Sequence, residues 1–227
     1  WKDISERVFE GKRGAPAATR CATERLILDL WAREGFDVIR PVERPLPDGV
    51  EMPALWLTWC GAPVLSEVLA DPGRPQAERL AWVERLGQSL SRRHSRAVEL
   101  DEPLLVHEHG QIKHFFAQGG RLVAFDMEHG YKPSYPLVRA VARELAGVAC
   151  SLARTDDSAE DQYLRVFAAS YTNQPLAKEA VREAIRGGGL AGVVRRQHGR
   201  QGGLRDNKTH VMERLARLLE VRTGCPA

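Results

Sequence analysis

Three histidines fall within one short run, His107, His109 and His114, and an acidic pair, Asp126 and Glu128, follows at the end of an apolar segment. Histidine is the side chain that exchanges protons near neutral pH, so His109 can serve as a general base or acid. Asp126 supplies the hard oxygen that Mg²⁺ prefers, and Glu128 can supply a second. Imidazole suits softer ions, so His107, His109, His114 and His129 can also be read as ligands for Zn²⁺ or Mn²⁺. The spacing H-x-H-x₄-H is not a standard zinc pattern, which ranks that reading last. Each residue also has a plainer role open to it: Asp126 as a turn cap, His107 as a brace for its loop.

These side chains need a scaffold, and the bulk properties bound what it can be. The chain has 227 residues, 43% hydrophobic and 28% charged, which suits one two-lobed domain or two small ones. A formal net charge of +3 is too mild to argue for nucleic acid. The stretch Arg182–Arg217 is rich in arginine against Glu183, Asp206 and Glu213, and reads as a solvated basic face or a contact for an anionic membrane surface. Cys21, Cys60, Cys150 and Cys225 form no C-x-x-C pair, so reduced thiols in the cytoplasm are expected rather than a zinc knuckle or disulfide framework. The five tryptophans, including Trp59, are expected in core or hinge packing.

Periodicity predicts the elements. Ser5–Phe9 reads as a short strand and Gly11–Pro16 as a loop. Thr19–Glu34 repeats helically, with Leu26, Leu30 and Trp31 on one side, and Gly35 ends it. Phe36–Arg40 and Ala54–Cys60 read as strands, the second buried, and Gly61-Ala62-Pro63 breaks it. Short helices and long ones then dominate: Ser66–Leu69, Pro75–Val98 with Leu80, Val83, Leu86, Leu90 and His94 in one stripe, Tyr135–Ala153, Asp161–Tyr171, Pro175–Arg186 and Lys208–Val221. Leu104–Val106, Phe115–Ala117 and Arg121–Phe125 read as short strands between them, and Gly187–Gly189 with Arg195–Asn207 as loops. The expected class is α+β, with a strand-rich part at 1–61 and a mostly helical part at 62–227 carrying a hairpin.

That order, with the run LLVHEHGQIKHFFAQGGRLVAFDMEHG at 104–130, resembles the protein-kinase-like fold and, within it, the bacterial lipopolysaccharide kinases of the Kdo/WaaP type. The resemblance covers nearly the whole chain as layout and is most specific at Leu104–Glu128. Kinases of this kind carry H-x-D-x₄-N, a short hairpin, then D-F-G or D-F-E. Here His107 matches the leading histidine, His109 stands at the aspartate, His114 at the metal-binding asparagine, and Asp126-Met127-Glu128 at D-F-E. A second register reads His109–Lys113 as H-G-D-L-K with Gln111 for the aspartate. It puts Phe116 at the asparagine, so the first register is preferred. Both lack the acidic base.

The resemblance implies further roles. Glu24 stands where such kinases carry the helix glutamate, and Arg7 or Lys12 where a strand lysine holds the nucleotide phosphates. Trp59–Pro63 is similar to the hinge between lobes. No Gly-rich G-x-G-x-x-G is found, so the small lobe reads as reduced or truncated at Trp1. The implied activity is ATP- and Mg²⁺-dependent phosphorylation of a hydroxyl, on a sugar of lipopolysaccharide core or a similar glycolipid, in the cytoplasm or at the cytoplasmic face of the inner membrane. His109 or Gln111 would meet the acceptor hydroxyl, and Asp126, His114 and Glu128 the metal. The alternative is a pseudokinase that keeps the fold as a nucleotide-binding or regulatory module.

Overall fold

The computed structural model describes residues 12–13, 16–45, 48–49, 54–156, 159–186 and 208–221. The architecture is α+β and mostly helical. A two-residue strand β1 (Lys12–Arg13) leads to helix α1 (Ala17–Arg33). Pro16 opens α1, where a missing N–H costs nothing, and Gly35 at φ +79° turns the chain out of it. The buried face of α1 is Thr23, Ile27, Leu28, Leu30 and Trp31. Leu26, expected on that face, is 47% exposed, because the stripe that packs is 23-27-30-31 rather than 26-30.

Helices α2 (Leu65–Ala70) and α3 (Gln76–Leu100) follow. Val83, Leu86, Leu90 and His94 are fully buried, as their spacing requires. Asp101 closes α3 in the left-handed conformation at φ +50°. Next comes a hairpin, β2 (Phe115–Gln118) and β3 (Arg121–Ala124), turned by Gly119 and Gly120, both at positive φ. Strand β4 (Gly130–Tyr131) pairs with β1, Lys12 opposite Tyr131. The remainder is helical: α4 (Leu137–Thr155), α5 (Glu160–Ser170), α6 (Gln174–Arg186) and α7 (Lys208–Val221).

Helix α4 is the hub. It packs against α5, α6 and α7, and α3 lies along α5. Val141, Leu145, Val148 and Leu152 run down its core face, each with at most 1% of its surface left exposed. Full burial of such side chains contributes about 1.5–3 kcal/mol apiece. Gly87 lets α3 and α5 approach closely, since a Cβ there would lie 2.9 Å from the Phe167 carbonyl oxygen.

Four expected elements differ. Leu104–Val106 is not a strand: Pro103–Leu105 makes a 3₁₀ turn, started by Pro103 and capped by the Glu102 carboxylate on the Leu104 N–H at 3.0 Å. Phe36–Arg40 is extended but holds only a single parallel bridge, Val38 to Ala124. Of Ala54–Cys60 only Cys60 is buried. One bridge, Pro41 to Leu57, holds the segment, and Trp59 is 89% exposed instead of packed. Within Gly11–Pro16, read as a loop, Lys12–Arg13 forms β1. The expected Ser5–Phe9 strand and the loops within 187–207 lie outside the described residues. Among the described residues no helix is long and apolar enough to cross a membrane.

Candidate functional site

One face of α4 seats the histidine loop. Glu144, Gly147 and Ser151 fall at i, i+3 and i+7, so they share that face. The Glu144 carboxylate accepts the His107 N–H at 2.8 Å, and Ser151 Oγ accepts the Ile112 N–H at 3.2 Å. Between them, Gly147 leaves room for the Gly110 carbonyl, which a Cβ would meet at 2.3 Å. Gly110 is equally constrained, because its own Cβ would sit 2.3 Å from Glu144 Cγ.

Glu144 is wholly buried and is the electrostatic anchor of this arrangement. Arg93, 2% exposed, donates to it through both terminal nitrogens at 3.0 and 2.5 Å, and donates to the Leu105 carbonyl at 2.6 Å. His94 Nε2 lies 2.9 Å from the same carboxylate, with its Nδ1 2.8 Å from the Tyr171 hydroxyl. Burial alone would raise the Glu144 pKa, but Arg93 and His94 outweigh it and hold it well below the usual carboxylate range. Burial pushes the His94 pKa down.

His107 uses both ring nitrogens. Nδ1 accepts the His109 N–H at 3.2 Å, so Nε2 carries the proton and donates to the Phe125 carbonyl at 3.0 Å. Burial takes its pKa down to about 4, which keeps this tautomer neutral at pH 7. His107 therefore ties the loop to the segment just before Asp126, and neither nitrogen is open to a metal.

His114 is buried and stacks on His107, ring centroids 5.4 Å apart. Its Nδ1 donates to the His109 carbonyl at 2.7 Å, because a carbonyl can only accept. Nε2 lies 3.1 Å from Asp126 Oδ2. Burial lowers the His114 pKa, with Asp126 opposing. With Nδ1 donating, Nε2 meets Asp126 Oδ2 in one of two ways: it carries a second proton and donates it, or it presents a lone pair to a cation held between the two.

Asp126 is one of two non-glycine residues at positive φ, +65°, among the described residues, and its side chain is 41% exposed. Aspartate tolerates this conformation better than most residues, yet it carries strain that collects at functional sites. Glu24 reaches the same place from α1. Burial raises its pKa, a hydrogen bond from the Met127 N–H opposes that, and the Asp126 and Glu128 charges raise it further. Glu128 is in turn held by Arg20 at 3.2 Å and lies 3.3 Å from His129 Nε2. Three carboxylates from two elements so share one neighbourhood. Among the described residues no three histidine, cysteine or acidic side chains converge to enclose a metal by themselves. A divalent ion here would take one or two protein ligands and complete its shell from phosphate and water, which is how Mg²⁺ is commonly held.

His109 is 42% exposed and faces the His129 ring at 5.2 Å. Its Nε2 lies 2.7 Å from Oε2 of Glu108, a carboxylate only 2% exposed. Gln111 is half-buried, and its carbonyl accepts the His114 N–H at 3.0 Å. The structure thus brings together Glu24, His107, His109, Gln111, His114, Asp126 and Glu128. The pairing of β1 with β4 brings the Lys12 backbone beside Tyr131, just after His129. Arg7 lies outside the described residues.

Sequence reasoning missed Glu144, Arg93, Glu108 and Arg20. The signal for Glu144 was present: it is an acid within the apolar run Val141–Val148, where an ionised side chain needs a buried partner. Glu108, Arg20 and Arg93 gave no comparable signal, since charged residues in loops and helices are ordinarily solvated. No family model matches the chain, and no curated protein and no solved structure matches it either.

Proposed function

We propose that the chain is a metal-dependent phosphotransferase of protein-kinase-like, two-lobed organisation, acting from the site between α1, the His107–His114 loop and Asp126–Glu128. The observation that carries this reading is His114 Nε2 set 3.1 Å from Asp126 Oδ2, with Glu24 and Glu128 beside it. A pair of donor atoms at that separation fits one cation, and nucleotide phosphates would complete its shell. The resemblance of the 104–130 run supplies the reaction class. It also supplies the acceptor, a sugar-type hydroxyl, and with it a place in the cytoplasm or at the inner membrane.

The protein's own residues would divide the work. Asp126 and His114 hold the metal, and Mg²⁺ or a softer divalent ion supplies charge neutralisation on the phosphates when bound. Glu24 orients the Asp126–Glu128 segment through the Met127 N–H. His109 takes the acceptor proton, with the buried Glu108 carboxylate fixing its ring, as a carboxylate does in other histidine-based sites. A second reading, a nucleotide-binding module without turnover, is favoured by one feature: position 109 carries histidine rather than a carboxylate, and its Nε2 is turned onto Glu108.

Equilibrium binding of a fluorescent ATP analogue with Mg²⁺, Mn²⁺ or chelator tests the first reading. We expect metal-dependent binding that falls at least tenfold in Asp126→Asn. Absence of nucleotide binding with every metal, or an unchanged affinity in the variant, would overturn it. Binding without phosphate transfer to any hydroxyl acceptor would select the second reading.

A further inference from the structure

A recess of about 270 Å³ lies between α3, the Phe36–Asp37 segment and the β2–β3 hairpin, and shares no lining residue with the site at Asp126. Its apolar floor is Trp31, Phe36, Phe115 and Leu122, all buried. Its rim is cationic. Arg85 and Arg92 project from α3 seven residues apart, on one helix face, and Arg121 faces them from the hairpin.

These arginines are weakly engaged. Arg85 rests over the Trp82 ring at 5.2 Å, and Arg92 over the Phe36 ring at 4.9 Å with one bond to the Gly35 carbonyl. Neither has a carboxylate partner among the described residues. Arg121 meets Asp37 at 3.3 Å, the single acid in the lining. Arg93 also borders the recess, but Glu144 already neutralises it. The rim therefore carries an excess of positive charge over an apolar base.

That combination selects a ligand. A neutral apolar molecule would offer the rim's guanidinium groups no counter-charge, and a bare anion would leave the recess above the apolar floor unfilled. The planar fork of arginine matches phosphate or carboxylate oxygens two at a time. The volume falls just below the roughly 300–1,000 Å³ of drug-sized ligand sites, which limits the ligand to one or two rings.

We propose that this recess binds a small anionic ligand with a flat apolar body, such as an aryl phosphate or carboxylate. It is independent of the nucleotide reading, and the test is run with a chelator present so that metal-dependent binding at Asp126 does not contribute. The probe is 1-naphthyl phosphate, titrated into the full chain by calorimetry, with methyl and amide NMR shifts mapping the contact. We expect saturable one-to-one binding that perturbs Leu122 and Ala124, with inorganic phosphate and 1-naphthol each at least tenfold weaker. The exposed double variant Arg92→Gln/Arg121→Gln should weaken binding tenfold or more, and Ser89→Trp, which fills the recess, should abolish it. Circular dichroism confirms that each variant is folded, and the wild-type shift map stands without either. No saturable binding, inorganic phosphate binding as tightly as the probe, shifts confined to residues elsewhere, or full affinity in the folded double variant would each overturn the proposal.

Discussion

His107 makes the stability of this protein sensitive to acid in a calculable way. In the folded state burial holds its pKa at about 4, against an ordinary histidine value of about 6.5 in the unfolded chain. Above pH 6.5 both states leave the ring neutral and its stabilising bonds are fully present. As the pH falls from 6.5 towards 4, the unfolded state takes up a proton that the folded state refuses, so stability is lost. At 1.36 kcal/mol per pH unit, this group alone removes about 3 kcal/mol by pH 4. Such a loss is a large share of a typical 5–15 kcal/mol.

Other groups titrate nearby. His94 and His114, both depressed, act in the same direction, whereas Glu24, raised, acts oppositely because its contribution is lost as pH rises through its folded value. The charges facing His107 itself are Glu144, Arg93 and His114. The comparison must therefore be a difference. His107→Gln keeps a donor for the Phe125 carbonyl and removes the titration. Urea unfolding followed by circular dichroism, at steps from pH 7.5 to 4.5, should show the wild type losing about 2.5 kcal/mol more than the variant. Parallel stability curves would refute the assignment of a buried, neutral His107.

Three further outcomes follow from the same packing. Glu144→Gln leaves the Arg93 guanidinium buried without a counter-charge and should cost about 3–5 kcal/mol in urea unfolding at pH 7. A loss under 1 kcal/mol would mean that water reaches the pair. Gly147→Ala drives a Cβ into the Gly110 carbonyl and should cost about 1–3 kcal/mol while shifting the amide NMR signals of the His107–His114 loop. Unchanged loop signals would show that the seat is looser than drawn. Trp31→Phe removes the indole N–H that donates to the Leu104 carbonyl at 2.8 Å and should cost about 1–3 kcal/mol by leaving that oxygen unpaired. A neutral result would place water at that carbonyl.

The helices were legible because their apolar residues recur with a period near 3.6, as in the Val83–His94 stripe of α3 and the Val141–Leu152 stripe of α4. The hairpin was legible from Phe115–Ala117 and Arg121–Phe125 on either side of Gly119-Gly120. The failures have physical causes. Leu104–Val106 is as apolar as a strand, but Pro103 sets a backbone angle suited to a turn and Glu102 caps it. Ala54–Cys60 has strand composition yet one bridge only, so β propensity had no sheet to act through. At the candidate site the histidines and acids drew attention by type and spacing. What holds them, the i, i+3, i+7 face of Glu144, Gly147 and Ser151, was hidden because a glycine and a serine within a helix look incidental until the loop they receive is in place.

The pairing of β1 with β4 has a consequence for the order of assembly. Lys12 and Tyr131 are far apart in sequence, so their contact closes one of the longest loops in the chain, with an entropic cost that grows with the length enclosed. Two residues per strand return little for that closure. This ribbon is expected to form after α3 and α4 have docked, and to exchange its amide hydrogens earlier than they do. The segment from Asp126 to Tyr131 can then be released at one end while the helical hub stays folded.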